Sequence, residues 1–143
     1  MKGILRGLTE NRAGTDPAAT DRRLRGRTYA IPFDTVWQAA WRLAGGEIHG
    51  WSMLSSDDQL GVIEAVSRTL ILRKEQDVRI EIRLDENAQT RVDAWSSSRI
   101  VRGDLGRNRR TIGRFMKRLD RVLDVQPGQI LDPTIRPAWL EPL

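Results

Sequence analysis

The chain has no cysteine and one histidine among 143 residues, and each scarcity removes a class of chemistry. Without thiols there is no disulfide framework, no thiol nucleophile and no cysteine-containing zinc site. His49 alone cannot build a multi-histidine centre. Carboxylate sites for magnesium or calcium stay open, but no cofactor or metal is implied. Aromatic residues make up only 6%, with a single tyrosine, Tyr29. No apolar run approaches the roughly 20 residues of a membrane helix. The opening Met1-Lys2-Gly3-Ile4-Leu5-Arg6 breaks too early to form the hydrophobic region of a signal peptide. The expectation is a cytoplasmic chain, with the membrane periphery as the alternative location.

What is abundant is arginine. The formal net charge is +5, and only Lys2, Lys74 and Lys117 are lysines, so 21 of the 24 basic residues are arginine. A GC-rich genome produces that bias without functional selection, which weakens the nucleic-acid or anionic-membrane reading that a basic chain invites. Residues 1 to 27 carry seven basic and three acidic groups, and residues 99 to 121 carry nine and two. The remainder is mildly acidic. The length fits one domain with a core large enough to need no metal or disulfide.

Residues 1–26 lack an apolar period and read as a flexible basic N-terminal arm with one turn signal, Thr15-Asp16-Pro17. Arg27 to Ile31 can form a short strand. Pro32 then opens a helix whose apolar positions Phe33, Val36, Trp37, Ala40, Leu43 and Ala44 recur at helical spacing, with Trp41 extending the face as core packing. Gly45-Gly46 ends it. From Trp51 the period becomes two. Strands are expected over Trp51–Ser56, Val62–Leu72, Val78–Asp85 and Thr90–Arg99, joined by turns at Asp57-Asp58 and Glu86–Gln89. On the last strand Val92, Ala94, Ser96 and Ser98 share one face, and Arg91, Asp93, Trp95 and Ser97 the other. A final helix carries Leu105, Ile112, Phe115, Met116, Leu119, Val122 and Leu123, followed by a Pro-rich tail. The expected fold is α+β, a four- to five-stranded antiparallel meander with both helices on one face, a helix-grip-like two-layer sandwich. Its boundaries are 27–125, with 126–143 as the C-terminal tail.

The connection into the last helix holds the most unusual chemistry. Asp104 is its natural N-cap. Asn108 falls on the apolar stripe, where an unpaired amide costs about 1 to 3 kcal/mol, so it requires a specific partner, expected in the backbone near Ser96 to Arg102. Asp104 and Asn108 thus read as a structural polar network. Arg99, Arg102, Arg109 and Arg110 cluster near the helix N-terminus, where free N–H groups and the macrodipole favour an anion, and Ser98 can add a hydroxyl. These five residues are the candidate anion site.

Several of these segments together resemble the bacterial family catalogued as domain of unknown function 1499, over roughly Arg27 to Leu123. The resemblance rests on Tyr29-Ala30-Ile31-Pro32 through Val36-Trp37, on Gly50-Trp51 followed by Asp57-Asp58, and on Gly61-Val62-Ile63-Glu64-Ala65. Asp77-Val78-Arg79-Ile80 and, above all, Ser98-Arg99-Ile100 with Gly103-Asp104-Leu105-Gly106 and Asn108 complete it. The family implies no activity.

The leading functional reading is a non-catalytic binding or interaction module, with a protein or a small anionic ligand as partner, contacting the helix-to-sheet cleft or the open sheet face. Trp95, with Arg91 and Arg99, marks that face. The alternative is recognition of an anion or lipid headgroup by the arginine cluster. A hydrolase using Ser98 or Asp57 and Asp58 ranks third, since no set of nucleophile, base and orienting group is visible. Nucleic-acid binding ranks last because the outer residues of the meander alternate in sign.

Overall fold

A computed structural model describes residues 12–69, 74–99 and 105–132. Asp104, Arg102, the first part of the arm and most of the Pro-rich tail lie outside the described residues. The chain is α+β. Strands β1 (Arg12–Gly14), β2 (Arg27–Tyr29), β3 (Trp51–Asp57), β4 (Val62–Arg68), β5 (Glu75–Leu84), β6 (Thr90–Ser98) and β7 (Ile130–Leu131) form one antiparallel sheet with helices α1 (Phe33–Arg42) and α2 (Leu105–Val122).

The meander β3-β4-β5-β6 follows the alternating pattern. Ile63, Ala65, Val78, Ile80, Ile82, Val92 and Ala94 all point inward and join Val36, Leu43, Phe115 and Leu119 in one core cluster. Both helices therefore cover the same sheet face. Trp51 stacks on Phe115 with ring centroids 5.6 Å apart, tying the first meander strand to α2. The turn after β3 is built by Asp57, whose Oδ1 accepts the N–H groups of Gln59 and Leu60. Gly61 closes it at φ +71, where a Cβ would lie 2.0 Å from the Ile82 carbonyl oxygen, so a side chain there would strain the turn and force the β4–β5 pairing apart.

The sheet has seven strands, not four or five. The extra ones come from segments without an apolar period, since three residues or fewer cannot display one. Residues 12–14, expected within the arm, pair with Ser97, Ser96 and Trp95, and β2 pairs with Val92, Arg91 and Thr90. Since β5 occupies the other side of β6, β1 and β2 lie end to end along a single edge. The excursion between them is pinned at its neck: Thr15 donates its N–H to the Ala94 carbonyl and its hydroxyl to Asp93. Arg91 is buried there against Asp93, Thr28 and the Arg25 carbonyl. On the far side β7, from the expected tail, pairs with β2.

The tryptophans of α1 differ from expectation. Val36, Ala39, Ala40 and Leu43 are buried, and Phe33, Trp37 and Trp41 form the adjacent i, i+4 row, about 100° round the helix. Trp37 is half-buried and stacks on Phe33, while Trp41 is 47% exposed and donates its indole N–H to Ser56 Oγ.

The other end of α2 is fixed by charge. Asp120 accepts Arg27 Nε at 3.1 Å and the Tyr29 hydroxyl at 2.6 Å. Burial, then the Asp120 charge and this hydrogen bond, push the Tyr29 phenol far above its ordinary pKa. A raised folded-state pKa contributes stability below the unfolded value of about 10, and that stability is lost as pH rises beyond it. Tyr29 being the sole tyrosine, its ultraviolet titration is free of overlap. Tyrosinate absorbance is expected to appear only with unfolding at alkaline pH. Reversible ionisation near pH 10 in the folded protein would contradict the buried Asp120 pair.

Candidate functional site

The inward sheet face changes character along its length. Ile63, Ile80 and Ala94 stand in one cross-strand row, Ala65, Val78, Ser96 and Ala13 in the next, and Ser67, Gln76 and Ser98 in the last. The apolar floor thus ends in a polar patch, and α2 brings its one buried amide to that patch. Asn108 is 0% exposed. Its Oδ1 accepts Ser96 Oγ at 2.6 Å and Gln76 Nε2 at 2.8 Å, and its Nδ2 donates to Ser98 Oγ at 3.0 Å. One turn on, the Thr111 hydroxyl donates to Gln76 Oε1. Polar side chains from α2, β5 and β6 satisfy one another, with Gln76, Ser96, Ser98 and Asn108 all buried.

Among the described residues these partners are side chains, and residues 100–102 of the segment where a backbone partner was expected lie outside them. Gln76 was missed because the strand was expected to start at Val78. The same alternation extended by two residues puts a glutamine facing inward, and a polar residue at an inward position signals a buried partner.

Of the arginines expected to converge on an anion, Arg99, Arg109 and Arg110 fall among the described residues. Arg99 Nε and Nη2 both bond Asp77 Oδ1, at 3.1 and 2.8 Å, and Nη1 bonds Glu75 Oε2 at 3.1 Å. The hydrogen bond to Asp77 leads in raising the Arg99 pKa above its already high value. Ser98 points inward to Asn108. Arg110 is exposed, and Arg109 is half-buried with an Nε that has no acceptor. Asp57 is engaged in its turn and His49 is exposed. Among the described residues no group of acids and histidines is arranged to hold a metal ion, and no helix is long and apolar enough to cross a membrane.

The open sheet face, opposite the helices, carries a concavity. Cross-strand pairing aligns Ser55, Glu64, Arg79, Trp95 and Gly14 in one row over five strands, beside a second row of Val66, Asp77, Ser97 and Arg12. Between the rows runs a trough of 880 Å³, bounded by Leu54 at one end and Thr15 and Asp16 at the other. Trp95 is 37% exposed in it, and its indole N–H has no acceptor among the described residues. Its ring lies across β1: a Cβ on Gly14 would sit 2.3 Å from the Trp95 ring, so only glycine leaves room for this pose. Arg79 lies beside it, held by Glu81 at 2.8 Å and Glu64 at 2.9 Å. Glu81 is the leading cause of its raised pKa. Neither Ser98 nor Asp57 and Asp58 line this trough.

A family model described as "Protein of unknown function (DUF1499)" matches residues 14–119. No curated protein matches the chain, and no solved structure does.

Replacing Asn108 by leucine removes the acceptor of Gln76 Nε2 and Ser96 Oγ and the donor to Ser98 Oγ. Asn108→Leu is expected to lower the unfolding free energy by about 1 to 3 kcal/mol, measured by urea denaturation. An unchanged midpoint would mean that the network contributes nothing to the fold.

Proposed function

We propose that this chain, which belongs to the family of proteins of unknown function matched over residues 14–119, is a non-catalytic binding module. Its ligand or partner occupies the trough on the open sheet face. The observation that carries this reading is Trp95, a large aromatic held half-exposed on a five-strand row, its indole donor without an acceptor among the described residues. An aromatic anchor ringed by polar groups is the composition of a binding hot spot, because the ring gains by desolvation while the rim fixes orientation. Here the rim is Arg12, Asp16, Glu64, Asp77 and Arg79. Leu54 extends the apolar floor, so the best-suited partner combines an apolar surface with hydrogen-bonding groups at its margin.

A second reading, recognition of an anion or lipid headgroup through Arg99, Arg102, Arg109 and Arg110 with Ser98, is favoured by one observation. The buried Nε of Arg109 lacks an acceptor, and an anion would supply it. The engagement of Arg99 by Asp77 and Glu75 weighs against it.

A thermal-shift screen with phosphates, acyl chains and divalent metals separates the two. A trough ligand at 100 times its dissociation constant adds about 2.7 kcal/mol to the wild type. That stabilisation is expected to vanish in Trp95→Ala and in Gly14→Val, and to survive in Arg109→Gln. Stabilisation by phosphate that is lost in Arg109→Gln and kept in Trp95→Ala would transfer the function to the arginine cluster.

A further inference from the structure

The solvent face of α2 lies on the opposite side of the molecule from the trough. Arg110, Arg114, Lys117 and Arg121 are all exposed and recur at intervals of four, three and four, which places them on one stripe. The stripe runs about 16 Å along the axis. Among the described residues none of the four has a hydrogen-bond or carboxylate partner. Elsewhere carboxylates are set against Arg23, Arg27, Arg68, Arg79, Arg91 and Arg99. Within α2 the one acidic residue, Asp120, is turned to Arg27 and Tyr29.

This arrangement has a cost in the free protein. Like charges at i, i+3 and i, i+4 repel along the whole stripe. Apposition of an anionic surface removes this penalty.

We propose that the outer face of α2 docks this domain onto an anionic lipid bilayer, by charge and without insertion. Among the described residues the exposed positions of α2 are Gly106, Arg110, Arg114, Lys117, Arg121 and Val122, a row of cations with one apolar side chain at its end. The helix does not stand proud enough to enter a groove. Arg23 packs against Gly113 on one flank, and Arg118 donates to the Glu47 carbonyl on another, so α2 is set into a broad face. A broad cationic face with few exposed apolar groups matches a planar array of headgroup phosphates. Docking this way leaves the trough facing solvent.

The test is co-sedimentation of the full chain with vesicles of phosphatidylcholine containing about one part in three phosphatidylglycerol, and with phosphatidylcholine alone. Binding is expected only to the anionic vesicles, falling steeply as salt is raised. Each cation near such a surface contributes on the order of 1 kcal/mol, so Arg114→Gln/Lys117→Gln is expected to weaken binding roughly thirtyfold. Its melting temperature should stay level or rise as the repulsion is relieved, which keeps lost binding distinct from lost folding. Arg42→Gln/Arg83→Gln removes the same net charge from exposed sites off the stripe and is expected to bind nearly as the wild type does. Absence of binding at low salt, equal weakening by both pairs, or tighter binding to duplex DNA at matched phosphate concentration would each overturn the proposal.

Discussion

The fold turns on one buried amide. Asn108 is the fully buried point at which α2 and the sheet recognise each other in kind, while the apolar side chains of the helix pack without fixed direction. Ile112, Phe115, Met116 and Leu119 would pack acceptably against the sheet after a slide of one turn. Asn108 would not, since it would leave the patch of Gln76, Ser96 and Ser98 for the apolar rows beyond it, orphaning several polar groups at about 1 to 3 kcal/mol each. Hydrophobic burial thus supplies the driving force and the amide selects the register, an assignment of roles in which a satisfied polar network adds uniqueness. Asp120 reinforces that register from the opposite end of α2 through Arg27 and Tyr29.

Fixing α2 in this way divides the molecule electrostatically. The open sheet face carries arginines already matched to carboxylates, Arg79 with Glu64 and Glu81, and Arg99 with Glu75 and Asp77. The outer face of α2 carries cations with no such match. The two surfaces therefore suit different partners. The sheet face offers an aromatic anchor within a nearly balanced polar rim, and the helix face offers unscreened positive charge. Gly14 makes the first possible by leaving room for Trp95, and β1 brings both Gly14 and Arg12 to the trough.

The meander was legible in the sequence because long alternating strands announce themselves. Val78, Ile80 and Ile82 against Arg79, Glu81 and Arg83 admit only one reading, and the apolar stripe of α2 is equally plain. The short strands were not legible. Arg12–Gly14 and Ile130–Leu131 are held by backbone pairing to a strand distant in sequence, a contact that leaves no local period. Asn108 stood out by its wheel position, and Ser96 and Ser98 by theirs, yet their meeting with Gln76 depends on tertiary register. The exposure of Trp41 was hidden for a related reason: composition says that tryptophan packs, but a single step of 100° round the helix decides how deeply. The trough itself is a property of the sheet, formed where Ser55, Glu64, Arg79, Trp95 and Gly14 line up from five separate strands.

The amide is the device that sets α2 against the sheet, and a double-mutant cycle between Asn108 and Gln76 tests this role directly. Unfolding free energies of the wild type, Asn108→Ala, Gln76→Ala and the double variant are compared under one set of conditions. Direct contact within a shared buried network predicts that the two losses overlap, with a coupling energy of about 1 to 3 kcal/mol. Losses that add to within about 0.5 kcal/mol would show that the two side chains do not act together, and would contradict the claim that this contact fixes the helix on the sheet.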